Sequence, residues 1–149
     1  MSFGAFDKVS IYSEKLAHLK KEIAIEAAKR RKKKKKFTAN QTIIINFING
    51  VTDEAKFSIK NMTVVLEKGD EKKGFMHILI SHYNTKNGNI TMSDIINFDL
   101  YLERSIKLNE YGVSNQNLEV YQYINGTDQY KIVLKKKSDN LVVTFYSVG

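Results

Sequence analysis

Two of the chain's three histidines lie five residues apart in the segment GFMHILISHYNTKNGNITMSDI, which runs from Gly74 to Ile95. Because histidine titrates near neutral pH, His77 and His82 could supply the acid and the base of a reaction that needs no metal. On an ideal helix their spacing separates the two side chains by about 140°, whereas zinc-binding histidine pairs on helices are four residues apart. The spacing therefore disfavours a metal site and leaves two interpretations, acid–base chemistry or a structural role in a half-apolar helix.

Other kinds of site find less support in the sequence. The chain has no cysteine, which excludes disulfides and zinc–thiolate sites and fits a cytoplasmic site of action. No GxSxG nucleophile elbow and no GxGxxG or GxxxxGK[ST] phosphate loop occurs, so we expect no cofactor. No apolar stretch reaches the roughly 18–20 residues of a membrane span, and the N-terminus has no apolar signal region, so we expect no membrane association.

The net charge of +8 is concentrated in the first quarter of the chain. Residues 1–36 contain 12 Lys and Arg against 4 Asp and Glu, whereas residues 37–149 contain 12 of each kind. This contrast predicts a boundary between Lys36 and Phe37, with a basic helical arm before it and a neutral domain of 113 residues after it. The arm has an apolar stripe at helical spacing, formed by Val9, Tyr12, Leu16, Leu19 and Ile23.

Eight consecutive cationic residues end the arm. Such a run can bind nucleic-acid phosphates without reading sequence, because it releases counterions from the backbone. A targeting signal and a solvated linker are the alternatives. The candidate nucleic-acid-binding residues are Lys29, Arg30, Arg31, Lys32, Lys33, Lys34, Lys35 and Lys36.

The neutral part of the chain alternates strand-like and helix-like patterns. Two helices are predicted, over 75–83 and 91–108, the second starting with a capping box and burying Ile95, Phe98, Leu102 and Ile106. Strands are predicted over 42–48, 118–124, 130–136 and 141–148, with two short strands or a hairpin arm over 56–66. The predicted class is α+β, with short helices followed by a twisted antiparallel sheet and a basic N-terminal helix.

The last two predicted strands form a hairpin whose register places polar residues. A two-residue turn at Ser138-Asp139 would pair Lys131 with Tyr146 and Val133 with Thr144 on one face. The other face would be almost entirely apolar and would belong to the core. Lys131, Thr144 and Tyr146 are therefore predicted to lie together on a sheet face that is free for a ligand.

The histidine segment resembles a motif of the barnase–EndoU–colicin–RelE-like endoribonuclease superfamily, in its phage and polymorphic-toxin branches. The motif reads HI-x-x-(R/K)H followed by G-x-I-T-x-x-D-I, and the closing YKIVLKKKSDNLVVTFYSV resembles the final hairpin of the same family. The resemblance covers roughly Lys56 to Gly149. One departure is Ser81, which stands where the family usually has a basic residue that contacts phosphate.

The resemblance implies a metal-independent endoribonuclease in which the 2′-hydroxyl of RNA attacks the adjacent phosphate. His82 would be general base or acid, with His77 assisting or structural. Lys131 would stabilise the phosphate, and Thr144 and Tyr146 would position it. The resemblance also implies a bacterial or phage toxin, delivered into a target cell in some cases and neutralised by a cognate immunity protein or antitoxin.

Two other functions remain open from the residues alone. The chain could be a non-catalytic nucleic-acid- or protein-binding module that uses the basic arm together with exposed Tyr and Lys on the sheet. It could also be an inactive nuclease-like structural protein of a phage or mobile element. Cleavage of RNA in the presence of a chelator would distinguish the metal-independent endoribonuclease from the binding module and from the inactive structural protein.

Overall fold

The computed structural model describes residues 4–108 and 117–148, and this part of the chain has an α+β fold, as predicted. The helices are α1 (Gly4–Lys32), α2 (Ala39–Ile48), α3 (Phe75–Ser81), α4 (Met92–Ile96) and α5 (Phe98–Glu103). The strands are β1 (Glu54–Ile59), β2 (Met62–Glu67), β3 (Ile106–Leu108), β4 (Leu118–Asn125), β5 (Asp128–Lys136) and β6 (Asn140–Ser147).

The six strands form one sheet in the order β1-β2-β6-β5-β4-β3, and only the β2–β6 pair is parallel. That pair joins at just two positions, Val64 with Asn140 and Val65 with Leu141. Beyond them the two strands separate, and α3 lies beside β6 in place of a strand. The amide of Gly74 donates a 2.8 Å hydrogen bond to the carbonyl of Val143. The sheet is therefore open on one side of β6, next to the segment that carries both histidines.

The helices cover one face of the sheet and enclose a single apolar core. Helix α1 contributes the buried side chains of Leu19 and Ile23 to this core, although the first residue of its predicted stripe, Val9, is 50% exposed. The predicted boundary at Lys36/Phe37 falls in the connection between α1 and α2. Helix α1 thus lies on the body of the protein, against α2, α3 and α4.

The predicted strand over 42–48 is wrong, because this segment belongs to helix α2. Thr38 and Gln41 form a capping box, with the Thr38 hydroxyl accepting from the Gln41 amide and the Gln41 side chain accepting from the Thr38 amide. Gln41, Ile44 and Ile48 are buried at helical spacing. The cap and the buried face outweigh the strand propensity of the three consecutive isoleucines.

The predicted helix over 91–108 is correct only in its first part. Thr91 and Asp94 form the expected capping box, but the helix is interrupted at Asn97, where α4 ends and α5 begins. Helix α5 ends at Glu103, and Ile106, predicted to be buried in a helix, lies in β3 and is 61% exposed. The Asn97 side chain accepts a hydrogen bond from Gln41 at 2.8 Å, which joins the break to helix α2.

Asp94 also organises a polar cluster inside the core, which we call the carboxylate cluster. Its side chain is buried and accepts hydrogen bonds from the Thr91 amide at 2.8 Å and the Tyr101 hydroxyl at 2.6 Å. Tyr101 in turn packs on the rings of Tyr123 and Tyr130, with centroid distances of 4.6 Å and 4.9 Å. Both carboxylate oxygens therefore have donors.

The other predicted elements agree with the structure. Residues 56–66 fall in a β1–β2 hairpin whose turn residues, Lys60 and Asn61, have positive φ angles of 50° and 65°, as in a type I′ turn. Helix α3 and strands β4, β5 and β6 occupy the predicted segments to within a few residues. None of the helices between residues 4 and 108 is long and apolar enough to cross a membrane.

The β5–β6 register is partly as predicted. Near the turn, Lys136 pairs with Asn140 and Leu134 with Val142, one residue away from the predicted pairing. Val133 then pairs with Thr144, so that Val143 on β6 has no pairing partner on β5 and forms a β-bulge. This bulge restores the predicted register, and Lys131 faces Tyr146. The turn therefore has three residues, and the bulge on β6 compensates for the extra one.

Candidate functional site

The end of helix α3 brings the two histidines together. The helix stops at Ser81, and His82 has φ −130° and ψ −28°, which is no longer helical. Its ring therefore leaves the direction that an ideal helix would give it, and the ring centroids of His77 and His82 lie 5.4 Å apart in an edge-to-face arrangement. The helical separation of about 140° does not apply.

His82 lies between His77 and the sheet. Its ring stacks on Tyr146 with a centroid distance of 5.1 Å and an interplanar angle of 25°. On β6, Tyr146 is directly opposite Lys131, and Thr144 is opposite Val133. Cross-strand partners project on the same face. The two segments meet where His82 stacks on Tyr146, and Lys131 and Thr144 lie on the same sheet face as Tyr146. We call His77, His82, Lys131, Thr144 and Tyr146 the histidine cluster.

A glycine allows the loop after α3 to close over His82. Gly88 has a φ of +63°, and a Cβ atom built there would lie 2.9 Å from Nδ1 of His82. The Gly88 carbonyl accepts a hydrogen bond from the amide of Ser147, which ties this loop to the end of β6. Any other residue at position 88 would be strained by its φ, and its Cβ would collide with the imidazole of His82.

The environment of His77 defines which of its nitrogens carries a proton. Nδ1 lies 3.0 Å from the carbonyl oxygen of Glu71, and a carbonyl can only accept, so Nδ1 is the donor. In the neutral ring Nε2 is then the atom with the free lone pair. The Ser81 hydroxyl lies 3.4 Å from the same Nδ1, so the residue that departs from the family motif contacts His77.

His82 is held in its neutral form by its surroundings. Burial lowers its pKa to about 4 and is the largest cause, followed by the neighbouring His77 and, more weakly, by the Lys15 ammonium. The Gly88 backbone opposes the shift, although it is not in hydrogen-bonding geometry with Nδ1. Among the described residues, Nδ1 of His82 is a buried atom without a hydrogen-bond partner.

Thr144 contributes a second unpartnered atom to the cluster. Its hydroxyl oxygen is buried and accepts and donates no hydrogen bond within the described ranges. Buried polar atoms are normally paired, since leaving one unpaired costs about 1–3 kcal/mol. Two of the three such atoms found in the described part of the chain belong to the histidine cluster, and the third is Oδ1 of Asn140.

Lys15 supports the site from helix α1, and sequence reasoning missed it. Its ammonium donates hydrogen bonds to the carbonyls of Ile80 at 3.0 Å and Tyr83 at 2.8 Å, so it caps the end of α3 on either side of His82. Burial lowers the Lys15 pKa. The signal in the sequence was its position, three residues after Tyr12 and four before Leu19 on the apolar stripe.

The basic run lies apart from the histidine cluster. Helix α1 carries it through Lys32, and Lys29 is fourteen residues beyond Lys15, which corresponds to about 21 Å along the helix axis. Arg30 pairs with Glu26 at 2.8 Å and lies over the Phe37 ring at 4.3 Å. The other seven members of the run, Lys29 and residues 31–36, are exposed.

The described residues contain no group of three or more His, Cys, Asp or Glu side chains that could hold a metal ion. Comparison of the chain with protein-family models, with curated proteins and with solved structures found no match. Chemical roles for the histidine cluster are therefore inferred from its own geometry and from the motif resemblance.

Proposed function

We propose that this protein is a metal-independent endoribonuclease whose active site is the histidine cluster. The observation that carries the proposal is the pair of imidazoles 5.4 Å apart in different environments. One ring is anchored through Nδ1 to a carbonyl, and the other is partly desolvated with a lowered pKa. A pair of titratable groups in different environments is typical of an acid and a base that act together.

His82 is assigned as the base, because burial keeps its ring neutral and a neutral imidazole is the form that can accept a proton. Its Nδ1 is covered by Gly88, so Nε2 takes the proton of the ribose 2′-hydroxyl. The 2′-oxygen then attacks the adjacent phosphorus, and the bond from phosphorus to the 5′-oxygen breaks. His77 acts in its imidazolium form, with a proton on Nε2 as well as on Nδ1, and gives the Nε2 proton to the leaving 5′-oxygen. The products are a cyclic phosphate end and a 5′-hydroxyl end, and His77 is left neutral with its proton on Nδ1.

The sheet residues act on the phosphate. Lys131 supplies a positive charge for the oxygens that gain negative charge in the transition state. Thr144 and Tyr146 lie on the same face of β6 and position the phosphate group. The toxin role, the cytoplasmic site of action and an immunity-protein partner belong to the same proposal and are supported by the motif resemblance.

The test is cleavage of RNA by the purified protein in the presence of EDTA. We expect cyclic phosphate ends and a loss of about 10²–10⁴-fold in rate for His82→Gln. His18→Gln is the matched control, because His18 is an exposed histidine on α1, outside the cluster. Cleavage that EDTA abolishes, or that His82→Gln leaves at the wild-type rate, would contradict the proposal.

The second candidate is a nucleic-acid-binding module without catalysis. The seven exposed cations of the basic run, Lys29 and residues 31–36, favour it, because they need no assembled site to bind phosphates. Tight RNA binding by the wild type with no cleavage under any condition would select this function. Neutralising the run would then remove binding, whereas His82→Gln would not.

A further inference from the structure

A concavity with three lysines lies at the place where β2 and β6 separate. Its lining includes Lys73 from the loop before α3, Lys135 from β5 and Lys137 from the turn after β5. Glu67 is its one acidic residue, so the concavity has a formal charge of +2. We call Lys73, Lys135 and Lys137 the lysine cluster.

Lys135 of the lysine cluster and Lys131 of the histidine cluster project from one face of the sheet. Lys135 and Lys131 are four residues apart on β5, so both side chains project on the face opposite the core. Four residues of a strand span about 13 Å. Val133 lies between them and is 3% exposed. Two centres of positive charge are therefore aligned along one strand, at a separation that a few nucleotides of a single strand can bridge.

The ion pairs of the fold do not use these lysines. None of the salt bridges among residues 4–108 and 117–148 involves a member of the lysine cluster. Asp139, which lies two residues after Lys137 in the turn, forms its salt bridge with Lys56 at 3.4 Å. Oδ1 of Asp70 accepts hydrogen bonds from the amides of Lys72 and Lys73. The lowered pKa of Asp70 comes first from these backbone hydrogen bonds and also from the charge of Lys73, and Glu67 lines the concavity. The three lysines still outnumber the one acidic residue of the lining, and none of them forms a salt bridge in the described part of the chain, which favours an anion as their partner.

We infer that the lysine cluster is a second phosphate-binding subsite, which holds the backbone of a single-stranded RNA whose reacting phosphate lies at the histidine cluster. This inference rests on the proposed function. Ammonium groups act on phosphate as point charges and read no sequence. The subsite should therefore matter for RNA of several nucleotides and not for a dinucleotide, which is too short to reach from Lys131 to Lys135.

The test is the double variant Lys73→Gln/Lys135→Gln, with Lys20→Gln/Lys21→Gln as a control that removes the same charge from an exposed part of α1. Binding is measured with a 2′-O-methyl oligonucleotide, which cannot be cleaved, over a range of salt concentrations. We expect the slope of log affinity against log salt to fall by about 1.4 for the subsite variant, from two lost phosphate contacts on a single strand. KM for long RNA should rise, and dinucleotide cleavage should stay unchanged.

The results separate the subsite from the reaction. Equal salt slopes for the two double variants, or an equal loss on dinucleotide and long RNA, would overturn the subsite while leaving the proposed cleavage intact. Lysine-dependent binding of the oligonucleotide by a wild type that never cleaves would keep the subsite and refute the reaction. A wild type that does not bind the oligonucleotide would overturn both.

Discussion

The two polar clusters of this protein differ in how completely their hydrogen bonds are satisfied. In the carboxylate cluster on the core side, both oxygens of Asp94 accept from donors at 2.8 Å and 2.6 Å. In the histidine cluster on the opposite face, Nδ1 of His82 and the hydroxyl of Thr144 are buried and lack partners in the described ranges. The first cluster is arranged for stability, whereas the second sacrifices stability, as functional sites often do.

The largest effect on stability should come from the carboxylate cluster. Asp94→Ala removes the acceptor of the Thr91 amide in the capping box of α4 and leaves the Tyr101 hydroxyl buried without its acceptor. We therefore expect a loss of about 3 kcal/mol in the free energy of unfolding. Urea denaturation measures it, and Asp99→Ala, at a partly exposed position on α5, is the control. A loss below about 1 kcal/mol would remove the distinction between the two clusters.

The histidine cluster should instead make stability depend on pH. His82 binds a proton below about pH 6.5 in the unfolded chain but only below about pH 4 in the folded protein. The unfolded state therefore binds more protons between these values, and stability falls as the pH falls through this window. After allowance for the partial solvent screening of this ring, we expect a contribution of at most about 2 kcal/mol.

His82→Gln should lose this part of the pH dependence, and His18→Gln should keep it, because His82 is then intact. The measurement is the free energy of unfolding of each variant at pH 7 and at a pH just above 4. Parallel curves for the wild type and His82→Gln would show that the ring is not desolvated in the folded protein. The histidine cluster would then no longer differ from the carboxylate cluster in making stability depend on pH.

The smallest effect should have the opposite sign. Thr144→Val replaces an unpartnered buried hydroxyl by a methyl group of similar shape, so we expect stability to stay the same or to rise by up to about 1 kcal/mol. RNA cleavage should fall, since Thr144 is assigned to the phosphate. Thermal unfolding and cleavage measured on the same preparation test both signs. A marked loss of stability would show that the hydroxyl is satisfied in solution.

The sequence predicted the fold best where local chemistry and burial point to the same element. The capping box at Thr91 is a local signal, and it was interpreted correctly. The turn at Ser138-Asp139 was located correctly, but it has one residue more than predicted. The run TIIINFI has strand propensity, but the Thr38–Gln41 cap and contacts of α2 with the core make it a helix. At the break, the Asn97 side chain donates to Ser93 in its own helix and accepts from Gln41, 56 residues earlier in the chain. No local pattern contains the second of these contacts.

The sheet part of the site was predicted from strand parity, whereas the meeting of the two histidines involves a long-range contact. Parity alone placed Lys131, Thr144 and Tyr146 on one face, which the structure confirms. The meeting of His77 with His82 depends on the end of α3, which is capped by Lys15 from a helix more than sixty residues away. Such contacts arise from packing between distant segments, so periodicity could not reveal them.

The bulge at Val143 has a consequence for how the protein could be changed. It absorbs the extra residue of the 137–139 turn before β6 reaches Thr144, and the hydrogen bond from Gly74 to the Val143 carbonyl holds it in place. The extra residue of the turn therefore does not change the strand pairing at the far end of the hairpin. An evolving or engineered chain could add one residue to this turn, and a bulge of this kind would leave the residues that face the histidines in place.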